Sequence, residues 1–497
     1  DSDTTKDCTS VALDPAERDY TDNVATVELP EGFVLATSEG TSDLDTLHYV
    51  DSVTSEVVDG AKAREVVWLG VSGGLLKTFT RGTVGSVTNV GTTLDTNARY
   101  VSIATAFQKV YISDGQTYKV YAPRTNTAND WLAETSGGIP ERYRLLSFWR
   151  GRMVLARGPD DPFNWHMSAV GEPDNWDQFP PDGPLETQAV SGNSSEIGGN
   201  PDIINALIPY DRERLIFGGD HSIHIMWGDP MAGGVITLLS DVTGIAFGSG
   251  WCKDSQGILY FFGSRGGVYA MAPGGFTERG STHPQKISSE TIDRRLQEVN
   301  FETHYVGMAF DDVEQRLYIF QMPYGTNTTA MDHWCWEKKT GAWWQDSFSS
   351  LNLEPTSVFL MDGDDPDDRV IAVGCQDGYV RFPDRDATSD DGYPIDSYVV
   401  IGPIYTANKL VRMRNPKVTL SRDQGGCWLE LSASNTPDEV PEAVHKVFLY
   451  PGQNPRAMVG VRGAYGWLRL RCAAVGQRWA YESGTLQVVE AGRSVAL

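Results

Sequence analysis

The chain has 497 residues, 40% of them hydrophobic and 22% charged, which is room for two to four domains and excludes a disordered polypeptide. Its 41 Lys and Arg stand against 66 Asp and Glu, a net charge of −25, so the surface as a whole is unsuited to gripping a nucleic-acid backbone. No apolar run reaches the roughly 18 residues that a membrane-crossing helix needs, and no secretory signal stands at the start.

Residues 1–60 are polar and weakly patterned, with strand candidates at 24–29 and 33–37. They read as an N-terminal arm that completes a ring or packs on a later module. From 61 the sequence repeats one phrase: an apolar strand, a polar Gly-rich turn, a second strand. It occurs as VVWLGVSGGLLKTF (66–79), VYISDGQTYKVYAP (110–123), MVLARGPDDPFNWHM (153–167), LIFGGDHSIHIMWGDP (215–230), LYFFGSRGGVYAMAPGG (259–275), LYIFQMPYGTNTTAMDHWCW (317–336) and VIAVGCQDGYVRFP (370–383). The start-to-start spacings are 44, 43, 62, 44, 58 and 53 residues. Repeats of about 40–60 residues with three to four strands each predict propeller blades, because one such sheet cannot bury both its faces alone. The expectation is an all-β chain with a β-propeller of about seven blades over 61–397. One helix interrupts it, predicted over 289–300, with Ile292, Leu296 and Val299 on one face and Ser288 or Ser289 as N-cap. From 398 to 497 the pattern changes to six or seven longer strands, a sandwich- or barrel-like β-rich module. The charge changes with it. Residues 401–497 carry 12 Lys and Arg against 7 Asp and Glu, whereas the first 400 carry 29 against 59.

The six cysteines, Cys8, Cys252, Cys335, Cys375, Cys427 and Cys472, form no CxxC pair, and the closest two are 40 positions apart. They read as free buried thiols rather than zinc or redox ligands. His221 and His224 fall three apart in a predicted strand, which sends them to opposite faces and argues against a shared metal. The carboxylates Asp362, Asp364, Asp365, Asp367 and Asp368 lack the spacing of a calcium loop and read as a solvated turn. Trp334, Trp336, Trp343 and Trp344 flank a KKTG turn. They read as cross-strand packing, the alternative being a sugar-stacking platform. The basic clusters at 150–153 (RGRM) and 468–471 (LRLR) read as solvated strand faces. No nucleophile elbow, zinc-protease, phosphate-loop or dinucleotide motif occurs, so no catalytic, cofactor-binding or metal-binding residue is assigned and no cofactor is expected.

Several phrases in their order resemble one family. They are FWRGRMVLARG with WHMSAVGEPDNWDQF (148–179), LIFGGDHSIHIMWGDP, GGVYAMAPGGFTERGSTHPQKISSETIDRRLQ (266–297), HWCWEKKTGAWWQ, and GAYGWLRLRCAAVGQRWAYES (463–483). Together they resemble the propeller-bearing tail proteins of short-tailed bacteriophages, called stabilisation, hub or nozzle proteins. The likeness covers about 60–497, and Trp-Glu-Lys stands where the family's hairpin has Tyr-Asp. It implies a non-enzymatic virion part, assembled in the host cytoplasm, that forms a ring of about six copies below the portal and adaptor. The implied partners are copies of itself, a tail adaptor or tube protein and fibre, spike or needle proteins, with double-stranded DNA passing transiently through the channel. The alternative from a different class is a carbohydrate-binding or carbohydrate-cleaving propeller using the Trp-rich loops.

Overall fold

The computed structural model describes residues 32–490 apart from short stretches, the longest being 39–45, 55–63, 80–86, 194–201, 273–282 and 362–369. Among the described residues, antiparallel four-stranded sheets follow one another along the chain at 46–93, 102–130, 145–193, 204–240, 251–286 and 304–346, each with its strands in chain order. A seventh sheet joins Pro355–Met361, Val370–Cys375 and Tyr379–Asp384, with Gly32–Ser38 beside the last of these. Seven successive four-stranded sheets of this kind are the blades of a β-propeller. Each of the seven apolar phrases of the sequence falls on the second strand of its sheet, Arg64–Ser72, Lys109–Ser113, Arg152–Ala156, Arg214–Gly219, Leu259–Phe262, Arg316–Pro323 and Val370–Cys375. The strand candidate at 33–37 lies within Gly32–Ser38, while the one at 24–29 lies outside the described residues.

Packing explains why these strands read as unbroken apolar runs rather than alternating ones. Side chains alternate between the two faces of a strand, and here both faces meet a neighbouring sheet. In Arg152–Ala156, Met153 and Leu155 enter a cluster with Tyr111 and Trp131 of the second sheet and its flank. Val154 and Ala156 enter another with Leu215 and Phe217 of the fourth. In Arg214–Gly219 the split recurs, with Ile216 packing on Leu259 and Phe261 of the fifth sheet. Burying each such side chain contributes about 1.5–3 kcal/mol. The hairpins are tight. Trp149 pairs with Arg152 across Arg150 and Gly151, at φ 50° and 78°. Two positive φ values in a two-residue loop match the twist of the strands, which is why a glycine stands there.

Contacts divide the chain into a larger unit, Leu35–Thr329 with Asn352–Phe382, and a smaller one that includes Ala330–Leu351 and the chain from Pro383 on. In the smaller unit two further sheets share one core. Ser397–Tyr405, Tyr465–Cys472, Cys427–Ser434 and His445–Leu449 pair in that order, and Val411–Leu420 pairs with Gly452–Asn454, Gly460–Gly463 and Tyr481–Glu490. Val411, Met413, Val418 and Leu420 of the second sheet meet Leu429, Leu431, Leu468 and Leu470 of the first, the arrangement of a sandwich.

The helix spans Glu290–Leu296, shorter than its periodicity predicts. Ile292, Leu296 and Val299 are all buried, Val299 from beyond the helix end. The Ser288 hydroxyl accepts from the Val268 N–H at 3.1 Å and donates to the Asp293 carboxylate, so its bonds go to a strand and a side chain.

Candidate functional site

A cavity of about 670 Å³ opens in the larger unit at one end of the sheets. Its position follows from the register. In the third sheet Leu145 pairs with Ala156, so the next step of the ladder is Arg144 beside Arg157, whose backbones bond at 3.2 Å. In the sixth, His304 pairs with Pro323 and the next step is Thr303 beside Tyr324, bonded at 3.0 Å. The fourth sheet adds Asn205 and Asp220 from the same end, where Ile204 pairs with Gly219. The second sheet contributes Asp114 and Gln116 from the turn after Lys109–Ser113, and the fifth adds Ser264 from beyond Leu259–Phe262. Asp95, Tyr100, Ala246, Phe247, Phe301 and Glu302 complete the walls. Every sheet from the second to the sixth therefore aims the start of its first strand or the end of its second at one space.

Charge in the cavity is mixed but unevenly engaged. Both Asp114 oxygens are occupied, accepting from the backbone N–H of Asp95, Gln116 and Thr117 and from the Thr117 hydroxyl. Asp220 accepts from Asn205 at 3.3 Å and faces the His221 ring at 3.3 Å. Arg157 is held on three sides. It bonds the Asn205 side chain and the Ile204 carbonyl, and its guanidinium lies 4.4 Å from the Phe247 ring centroid. Burial, and then the charge of Arg144, push the Arg157 guanidinium below its ordinary pKa. Burial raises the Tyr100 phenol above its own, so Tyr100 keeps its proton across the neutral range. The lining thus offers fixed hydrogen-bonding groups and aromatic walls, the makings of a binding cavity.

The residues singled out in the sequence lie elsewhere. His221 is exposed beside Asp202 and Asp220, whereas His224 is buried within Ile223–Trp227, so the two do not converge. Among the described residues no three His, Cys, Asp or Glu side chains gather as metal ligands. The carboxylates at 362–368 and Cys8 lie outside the described residues. Cys252, Cys335, Cys375, Cys427 and Cys472 are free thiols, four of them buried and Cys252 half-buried. In the tryptophan hairpin, Trp334 and Trp343 are buried and Trp336 pairs directly across from Trp343, with ring centroids 6.1 Å apart. Trp344 pairs across from the buried Cys335. Packing therefore buries Trp334 and Trp343, while Trp336 and Trp344 are half-buried.

The basic cluster at 150–153 is not the solvated face that its charge suggests, because Arg152 is 0% exposed. It shares its face of the strand with Val154, toward the fourth sheet. There it forms a two-point ion pair with Asp229 at 2.8 and 3.1 Å and donates to the carbonyls of Ser168, Gln188 and Glu186. Burial of a charge is tolerable when pairing is this complete. At 468–471, Arg471 is half-buried and forks onto Asp396.

No family model and no curated protein matches the chain. Among solved structures it is similar to the extracellular domain of BT4673 from B. thetaiotaomicron, with 11% identity and TM-score 0.44, over 87% of this chain and 49% of that one. It is also similar to YCF48 from Cyanidioschyzon merolae, with 11% identity and TM-score 0.43, over 71% and 98%. PorZ of Porphyromonas gingivalis gives 12% and 0.39, over 76% and 44%. The chain spans about half the length of the first solved structures it matches. Likeness at this level carries no function across. Among the described residues no helix is long and apolar enough to cross a membrane.

Proposed function

We propose that the chain is a structural component of a phage tail, a nozzle or hub subunit that assembles with copies of itself into a ring. The ring extends the DNA channel below the portal and adaptor and anchors fibres or spikes. The order of the matching phrases along the chain carries this reading. They fall in turn on the third, fourth and fifth sheets, on the hairpin of His333–Glu337 with Trp343–Asp346, and on the closing strands of the C-terminal sandwich. Propeller and sandwich alike hold their loops on rigid sheets, which suits a part that binds several neighbours at once.

Native mass spectrometry and negative-stain electron microscopy of the purified full chain test the reading, alone and mixed with isolated portal–adaptor particles. The expected result is a closed ring of about six copies, or copies seated on the particle. A chain that stays monomeric at micromolar concentration and ignores the particles overturns it. A monomer that instead binds on an oligosaccharide array would favour the carbohydrate class.

A further inference from the structure

We propose that the cavity at the end of the sheets binds a small molecule through an oxyanion group, phosphate or carboxylate, held between Arg144 and Arg157. This goes beyond the tail reading and does not depend on it.

Two guanidiniums are brought together here by the strand register, although like charges repel. Arg157 has Asp220 nearby to balance it. Arg144 is exposed to the cavity and has no carboxylate partner among the described residues. Of the four carboxylates that line the cavity, Asp114 is engaged by four donors and Asp220 by Asn205 and His221, and Asp95 and Glu302 are the other two. Two further open groups of the lining are donors. The Tyr100 ring packs edge-on against Phe247 and Tyr305, and its hydroxyl has no protein partner among the described residues. Gln116 accepts from Arg142 through its carbonyl oxygen, which leaves its amide N–H groups open. The guanidiniums of Arg144 and Arg157, with the Tyr100 hydroxyl and the Gln116 amide, form a set of donors within the cavity wall, and arginine forks match the geometry of carboxylate and phosphate oxygens. The backbone makes room for this. Gly115 has no side chain where a Cβ would come within 2.7 Å of the Arg144 Cγ, so the arginine stem crosses the turn at van der Waals range.

Calorimetric titration of the full chain with inorganic phosphate and, separately, with citrate tests the proposal, at ionic strength matched with NaCl. The two arms distinguish a phosphate ligand from a carboxylate one. At least one anion should bind saturably. Arg144→Gln should weaken that binding at least tenfold and Tyr100→Phe about threefold. Arg144 is exposed, so R144Q should unfold at the wild-type temperature in NaCl. Saturable binding that R144Q leaves unchanged, or no binding of either anion beyond the NaCl control, overturns the proposal. A ring and a monomer should titrate alike, so failure here is separable from failure of the tail reading.

Discussion

Arg152 and Asp229 lie 77 positions apart and form a buried two-point ion pair that ties the third sheet to the turn after Ile223–Trp227 of the fourth. Asp229 also caps the short 3-10 turn Pro230–Ala232 by accepting from the Met231 N–H at 2.9 Å. Removing one partner strands the other charge, along with three carbonyls that Arg152 serves. Arg152→Met should therefore cost about 3–5 kcal/mol. Urea unfolding read by tryptophan fluorescence checks this. A loss below about 1 kcal/mol would mean that the pair contributes little to holding the sheets together.

The turn at Gly115 depends on its backbone conformation and on Asp114. The glycine has a φ of +80°, in the left-handed region, and faces Arg144 at close range. Gly115→Ala should lose about 1–2 kcal/mol from backbone conformation, while the flexible arginine stem moves aside. Asp114→Ala should cost more, because three backbone N–H groups lose their acceptor at once. Thermal midpoints of the two variants, ranked against each other, test that order.

The seven sheets are legible in the sequence because each second strand is apolar on both faces and ends in a Gly-bearing turn. The helix is visible through Ile292, Leu296 and Val299, although burial of Val299 outside the helix blurs its end. The cavity leaves no such sign. Arg144, Arg157, Asn205, Asp220 and Tyr324 come from three sheets, and only the packing of successive blades brings the ends of their ladders together. Spacing along the chain carries no trace of that. Arg152 misleads for the opposite reason. A cationic residue beside another at Arg150 suggests solvent, and its partner Asp229 lies far away in the chain.

Acid should weaken the fold before the carboxylates titrate. Burial lowers the pKa of His166, His224 and His304, and the His166 ring also meets the Tyr143 hydroxyl at 2.8 Å. Unfolded histidines take up protons near pH 6.5, while these three resist in the folded chain. The unfolded state therefore binds more protons as pH falls. The stability present above about pH 6.5 is lost as pH drops through the lowered folded values. Calorimetry at about pH 7.5, 6 and 5 should show a falling midpoint, with a shallower fall in His224→Gln. A flat profile contradicts the assignment.

Thiol chemistry should report the packing. Burial pushes Cys375 and Cys427 up to about 12 and Cys252 well above its ordinary value. The nucleophile is the thiolate, so at about pH 8 these groups should react slowly with a disulfide reagent. Cys335 and Cys472 are buried and shielded by the same packing. The native chain should show at most one fast thiol, and six after unfolding. Two or more fast thiols in the native state would count against the packed positions described for these five.

Assembly should depend on charge. In the proposed ring each copy presents one surface to a different surface of its neighbour, a heterologous contact that closes by rotation. The first 400 residues carry 29 Lys and Arg against 59 Asp and Glu, and the last 97 carry 12 against 7. Opposite signs in the two parts of the chain favour contact of a C-terminal sandwich with an acidic region of the next copy, and complementary charge sets both encounter rate and register. Arg412 and Lys417 are exposed on the sandwich strand Val411–Leu420, so they are suited to such a contact. Salt should loosen it, because the Debye length shrinks from about 10 Å at 0.1 M to about 3 Å at 1 M. The assembled fraction, read by analytical ultracentrifugation, should fall between these concentrations. The double variant R412E/K417E should assemble poorly at about 0.1 M salt while keeping the wild-type unfolding temperature, since neither side chain is in the core. Assembly that ignores both salt and charge reversal would place the contact on apolar surface instead.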